Sequence, residues 1–256
     1  MLLISRQERK GEWQLDELLK RLFTFKNETA TSADLYFYGD IVTDWYGAWQ
    51  DEDQYPDAVK NFLAEHQGKE LNIYINSGGG SVFAGIAIYN MLKRHKWKKT
   101  VYVDALAGSI ASVIAFAGDR VVIPKNSFLM IHKPWAGCIG NSEDMRKMAE
   151  ELETLETGLL NIYEGHLKEG IPIDAVKEMM TAETWLNGEQ AAEYFNVEIG
   201  EEKAIAAAVT EETRKFCKAI PEEILARKRA QEKALEEKDQ EKRNDIAKMA
   251  IAAMAI

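Results

Sequence analysis

Cysteine is almost missing from this chain: Cys138 and Cys217 are the only two among 256 residues, far apart and without metal-ligand spacing. That excludes a disulfide framework and a zinc site, and it fits a reducing compartment. Positive charge is also scarce. Lys and Arg number 32 against 42 Asp and Glu, a formal charge of -10. Phosphate backbones are held by clustered cations, so nucleic acid is not an expected partner. No apolar run is long enough to span a bilayer. The apolar start at residues 1–4 is broken at once by Arg6, Glu8, Arg9 and Lys10, which is not the pattern of a signal peptide. No Gly-Lys-Ser/Thr completes a nucleotide loop, and no repeat is visible. The expectation is a soluble, cytoplasmic protein with no membrane association, no metal and no cofactor.

A chain of this length with 46% hydrophobic residues holds one substantial core plus appendages. Residues 1–33 mix charged and apolar side chains, with an amphipathic helix expected near 13–23, and read as an N-terminal arm. Residues 34–206 carry the regular alternation. Strands are expected at 34–39, 71–76, 100–103, 120–123 and 128–131, with helices at 55–65, 82–92, 112–117, 142–168, 173–180 and 187–195. Strands that alternate with helices imply crossovers and a largely parallel sheet. The long helix bears an apolar stripe of Met145, Met148, Ala149, Leu152, Leu155, Leu159 and Ile162, which suits either a core helix or a subunit contact. Residues 207–256 form a charged tail rich in Glu, Lys, Arg, Gln and Ala, read as a solvated helix or one that forms on assembly.

Three short stretches carry chemistry: residues 76–81 (Asn-Ser-Gly-Gly-Gly-Ser), 108–112 (Gly-Ser-Ile-Ala-Ser) and 130–134 (Met-Ile-His-Lys-Pro). They supply backbone donors, a hydroxyl and an imidazole, the parts of a serine hydrolase. Eight serines compete for the nucleophile's role. Ser112 lies where a small-residue turn runs into an apolar segment, so the expected helix would present it at a positive dipole end. A helix-capping role is the bland reading of such a serine. Ser109, within the turn, and Ser81, placed to cap the helix from residue 82, are its rivals. The glycine run follows a strand and precedes a helix, so a Gly80 amide, with that of Val113 beside Ser112, can face a developing oxyanion. His132 follows an apolar strand and precedes Pro134, which ends ladder pairing. His66 and His95 sit among charged residues and read as surface. Cys138 offers a cysteine–histidine alternative, but its glycine-flanked segment lacks the setting that activates a thiol.

In this order, the three stretches resemble the Clp protease proteolytic subunit family over residues 36–206. The resemblance implies a crotonase-like (ClpP-type) α/β fold with a protruding handle helix, a serine endopeptidase acting on polypeptides, and homo-oligomeric rings that enclose the active sites. It assigns Ser112 as nucleophile, His132 as base, and Gly80 and Val113 as oxyanion donors. Gly79, Ser81, Pro134, Gly137, Cys138 and Ile139 fall where substrate peptide lies, and the long helix matches the handle. The third member departs from the pattern: Glu183 occupies the place of the family's aspartate, with Asp174 and Asp144 as substitutes. Glycine at 78 where proline is usual, the short interval to His132 and the extra tail are similar to phage and prophage head maturation members. Expected partners are therefore phage capsid or scaffold proteins, or an ATP-driven unfoldase. Two other classes remain: a crotonase-type enzyme acting on acyl thioesters, which needs no nucleophilic hydroxyl, and a structural assembly protein with a silent triad.

Overall fold

The computed structural model describes residues 29–48, 53–202, 208–210, 213, 217 and 219–254. The helix expected near 13–23 lies outside them. Elements alternate as the hydrophobic pattern requires: β1 (Ser32–Phe37), α1 (Pro56–Glu65), β2 (Glu70–Ser77), α2 (Val82–Arg94), β3 (Lys99–Gly108), α3 (Ile110–Ala115), β4 (Arg120–Pro124) and β5 (Phe128–Ile131). After these come α4 (Ser142–Glu164), α5 (Ile173–Ala182), β6 (Thr184–Asn187), α6 (Gly188–Tyr194), β7 (Glu198–Gly200) and α7 (Glu222–Met254).

Strands β1, β2, β3, β4 and β7 run parallel in that spatial order. β3 is the centre. Nine of its ten residues are buried, the near-continuous burial expected of a parallel strand covered on both faces. Its length lets it serve two neighbours on one side. Residues 100–102 pair with β4, while Leu106, Ala107 and Gly108 pair in parallel with Phe128, Leu129 and Met130 of β5. β6 then closes antiparallel on β5, from Phe128 opposite Asn187 to Ile131 opposite Thr184. The end of β3, the end of β5 and the start of β6 therefore meet at one edge.

Several expectations need correction. The helix expected at 112–117 begins two residues earlier, at Ile110, with Ser109 in the N-cap position. The short strands β6 and β7 were not expected at all. The long helix starts as read, with Asn141 and Asp144 in a reciprocal capping box, but its stripe is not a core face. Only Glu156, Leu159 and Tyr163 are buried along it, while Met145 is 45% exposed. The helix is anchored by its C-terminal turns, and its N-terminal half overhangs a cleft. His66 is not a surface histidine: it is buried, stacks on Phe62, and its Nδ1 lies 2.7 Å from the Phe62 carbonyl. Nor is the charged tail wholly solvated. Val209 and Ile224 are buried in a small apolar cluster with Ala105, Leu106, Phe128 and Met130, so the body of the fold extends past residue 206.

Candidate active site

The strand-to-helix turn between β3 and α3 is a single residue, Ser109, with φ 52° and ψ -127°. A left-handed φ on a non-glycine residue costs on the order of 1–3 kcal/mol and persists only where the surroundings over-determine it. The neighbouring glycine run provides that constraint. Gly79 itself has φ 109°, and a Cβ on it would stand 2.7 Å from the Ser109 Cβ and 2.8 Å from the Gly108 carbonyl oxygen. Only a residue without a side chain lets the two turns approach so closely. On the far side, the Ser109 amide donates to the Met130 carbonyl at 2.8 Å.

That bond continues the β3–β5 ladder and fixes where β5 delivers its next side chains. Two residues beyond Met130, His132 turns back over the end of β3, and its Nε2 lies 2.7 Å from Ser109 Oγ. Both residues are partly exposed and line an open cleft of about 1400 Å³. A hydroxyl in hydrogen-bond reach of an imidazole at a strained turn is the geometry of an activated nucleophile.

Ser112, expected in that role, is elsewhere. It is fully buried, donates through Oγ to the Ser109 carbonyl at 2.5 Å, and lies 2.7 Å from the Tyr163 hydroxyl. Nothing in the cleft reaches it. Val113 follows Ser112 rather than Ser109 and is the fourth residue of α3, beyond the first-turn amides nearest the helix start. The adjacent amide is that of Ile110, the first residue of α3, which has no intrahelical acceptor. A Cβ built on Gly79 would come 3.3 Å from that nitrogen. In the glycine turn, the Gly79 amide donates to Ser77 Oγ and the Ser81 amide to the Ile41 carbonyl. Among the described residues, nothing accepts from the Gly80 amide. Ser81 caps α2, accepting from the Ala84 amide at 3.4 Å.

Glu183 stands at the C-cap of α5 with φ 54° and ψ 78°, the second non-glycine residue with positive φ. Because Ile131 pairs with Thr184, His132 and Glu183 are the next two positions at the end of that ladder. The Glu183 carboxylate accepts from the Ala219 amide at 3.4 Å. It also faces Cys217, whose thiol is pushed up to about 11 by burial first and by the Glu183 charge second. Asp174 is exposed at the opposite end of α5, roughly 13 Å away by helical rise. Asp144 is committed to capping α4.

Of the residues expected to contact substrate, Gly79, Ser81 and Pro134 line the cleft. Gly137, Cys138 and Ile139 continue outward beyond its wall, with Ile139 fully exposed. Residues 132–139 belong to no strand. The Cys138 thiol approaches the Asp144 carbonyl at 4.0 Å, so it is not the partner of His132. Among the described residues no cluster of His, Cys, Asp or Glu could hold a metal ion, and no helix is long and apolar enough to cross a membrane. Ser109 is flanked two residues away on each side by Ala107 and Ala111, small neighbours of the kind that a tight strand-to-helix turn requires, and that pattern is visible in the sequence.

Residues 52–198 match the Clp protease family. The chain is 35% identical over 130 residues to the ATP-dependent Clp protease proteolytic subunit of Bacteroides fragilis, a match covering 50% of this chain and 61% of the relative. Proteins of the same name from Porphyromonas gingivalis and Deinococcus radiodurans are each 33% identical. The first match covers 50% of this chain and 57% of the relative, the second 51% and 64%. The chain thus spans less than two thirds of the length of these curated relatives. With more than half of its residues inside the family match, and the elements that carry Ser109, His132 and Glu183 all within it, the chain belongs to the Clp protease family.

Proposed function

We propose that this protein is a serine endopeptidase in which Ser109 is the nucleophile, His132 the general base and Glu183 the carboxylate that orients the imidazole. The observation that carries the reading is the 2.7 Å contact between His132 Nε2 and Ser109 Oγ at a strained turn that opens on a large cleft. In this mechanism His132 takes the Ser109 proton as Oγ attacks the scissile carbonyl, then returns it to the leaving amine. Water repeats the cycle on the acyl-enzyme. The amides of Ile110 and Gly80 face the oxyanion.

A polypeptide suits the cleft. Residues 132–139 leave β5 along the cleft wall and belong to no strand, and an extended substrate can lie against this segment. The glycine turn offers a second edge. An acyl-thioester reading of the crotonase-like fold would leave the Ser109–His132 contact without a purpose.

The overhanging part of α4, with Met148, Leu152 and Leu155 toward the cleft, acts as the handle through which copies of the chain assemble into rings. The relatives are named ATP-dependent, which favours an unfoldase as partner. Gly78 and the segment beyond residue 206 instead favour a head maturation enzyme acting on capsid or scaffold protein. Cleavage of unfolded casein without any ATPase would support the second setting.

The catalytic assignment is tested by a fluorophosphonate probe followed by peptide mass mapping. The label should appear on Ser109 and vanish in Ser109→Ala, with peptidase activity reduced by about 10⁴-fold or more. Label on Ser112, or none on a folded protein, overturns the assignment.

A further inference from the structure

Ser112 lost the role that its sequence context suggested, yet it is not a spectator. Its amide donates to the Ser109 carbonyl at 3.0 Å and its hydroxyl donates to the same oxygen at 2.5 Å. A serine that bonds back to a carbonyl one turn earlier is common in helices. The difference here is a second hydroxyl. Tyr163, near the end of α4, places its phenolic oxygen 2.7 Å from Ser112 Oγ across a separation of 51 residues, in a site where both side chains are buried. The proton order is dictated by the acceptor. A carbonyl only accepts, so the single Ser112 hydroxyl proton points at Ser109, and the Tyr163 hydroxyl must donate to Ser112. Burial also drives the Tyr163 phenol well above its ordinary range, which keeps that donor protonated.

The consequence lies in the peptide unit between Ser109 and Ile110. Its C=O and N–H belong to one planar group and point in opposite directions. Holding the Ser109 carbonyl inward therefore aims the Ile110 N–H outward, beside the glycine turn. We propose that Tyr163 and Ser112 form a buried hydroxyl relay that locks this peptide so that the Ile110 amide is presented to the oxyanion. This makes both of them positioning residues for acyl transfer. The inference rests on the Ser109 reading above. The setting supports it: Tyr163 lines the same small recess as Ser109, Ile110 and His132, and its ring is wedged against Phe116 and Phe195. The relay thereby ties the docked end of α4 to the nucleophile's backbone.

A donor that acts only in the transition state changes kcat and leaves substrate binding alone. The test is steady-state hydrolysis of a fluorogenic peptide by Tyr163→Phe, Ser112→Ala, the double variant and Ser112→Thr, with thermal melting as a fold control. Loss of a whole oxyanion donor costs about 10²–10³ in kcat, so loosening one should lower kcat about tenfold. KM should stay within about twofold, and the pH midpoint of kcat/KM should not move. The double variant should be no slower than Ser112→Ala, because Tyr163 acts through Ser112. Ser112→Thr, which keeps the hydroxyl, should recover most of the rate.

Parent kcat in Tyr163→Phe, a rise in KM with kcat unchanged, or additive losses in the double variant would each overturn the relay. Tyr163→Phe removes one oxygen and decides the matter even if Ser112→Ala does not fold. Failure of the underlying reading looks different, since then the fluorophosphonate would not label Ser109 in the parent protein.

Discussion

Glu183 occupies a backbone conformation that a β-carbon disfavours, φ 54° and ψ 78°, and that choice has a local cause. α5 must stop and reverse into β6 within one residue, because Thr184 is already paired with Ile131. A left-handed residue closes a helix in that way, usually glycine. Retaining a glutamate there keeps a carboxylate at the end of the strand pair that also positions His132. Glu183→Gln preserves the side-chain length and the capacity to accept a hydrogen bond but deletes the charge that stabilises an imidazolium. Activity should fall by a factor of about 10²–10⁴, with the upper bound set by the loss of an orienting carboxylate in other triads. The melting temperature should change little. Parent-level activity in that variant, alongside a loss in Asp174→Asn, would move the orienting role to Asp174.

The residues around this carboxylate also show what the sequence could and could not reveal. The three motifs, His132 and Glu183 stand out in the sequence as short contiguous features, and the pairing of β3, β5 and β6 brings their strand ends to one edge. The proposed nucleophile, Ser109, lies three residues before the expected one because apolar periodicity in residues 110–117 does not mark where a helix begins. With every residue of 110–115 buried, no polar face exists to phase it.

At the scale of elements, the site depends on how closely α2 packs on α3. Gly85 of α2 faces Ile110, and a Cβ there would lie 2.1 Å from Ile110 Cγ1. Gly85→Ala removes a helix-weakening glycine, a gain of up to about 1 kcal/mol, but the overlap forces Ile110 or a helix to shift, at a cost of about 1–3 kcal/mol. Steric cost wins. The variant should melt lower and, because Ile110 carries the amide next to Ser109, should lose kcat more than a stability change alone explains. Unchanged melting and unchanged kcat together would show that α2 has freedom to slide.

Element order was largely legible. The strands β1, β2, β4 and β5 and the helices α1, α2 and α4 to α6 fall within a few residues of their expected places, because their apolar spacing is regular, whereas β3 runs five residues past the expected 100–103. β6 and β7 were not, for a physical reason. They have four and three residues, too few to display a period, and they exist because β5 and β4 offer them a partner edge. Tertiary pairing also explains the tail. Its composition reads as solvated, yet Ala208 donates to Asn76, Thr210 to Asp40, and Arg227 to the Asn126 carbonyl, contacts that local sequence cannot announce.

Over the whole molecule, the cleft needs α4 held against the sheet layer while its N-terminal half stands free. The hold is an aromatic cluster in which Phe116 meets Tyr163, His166 and Phe195, with ring centroids 5.9, 4.9 and 5.1 Å away. His166 is the member that titrates. Burial first, and the Lys93 charge second, lower it from 6.5 to about 4 in the folded protein. The sign of the linkage follows. Above about pH 6.5 neither state binds the proton and His166 contributes nothing to the pH dependence. As pH falls from about 6.5 towards about 4, the unfolded chain takes up a proton that the folded chain refuses, so folding stability is lost across that window. Solvent reaches part of the ring, which moderates the effect. Denaturant midpoints measured at pH 7.5 and pH 5 should therefore drop in the parent and drop less in His166→Phe, which keeps a ring against Phe116 but cannot protonate. Since Tyr163 belongs to the same cluster, protonating His166 should loosen the docked end of α4 and lower kcat below pH 5.5 in the parent more than in His166→Phe. Identical pH profiles for both stability and kcat would show that protonation of His166 does not reach the active site through α4.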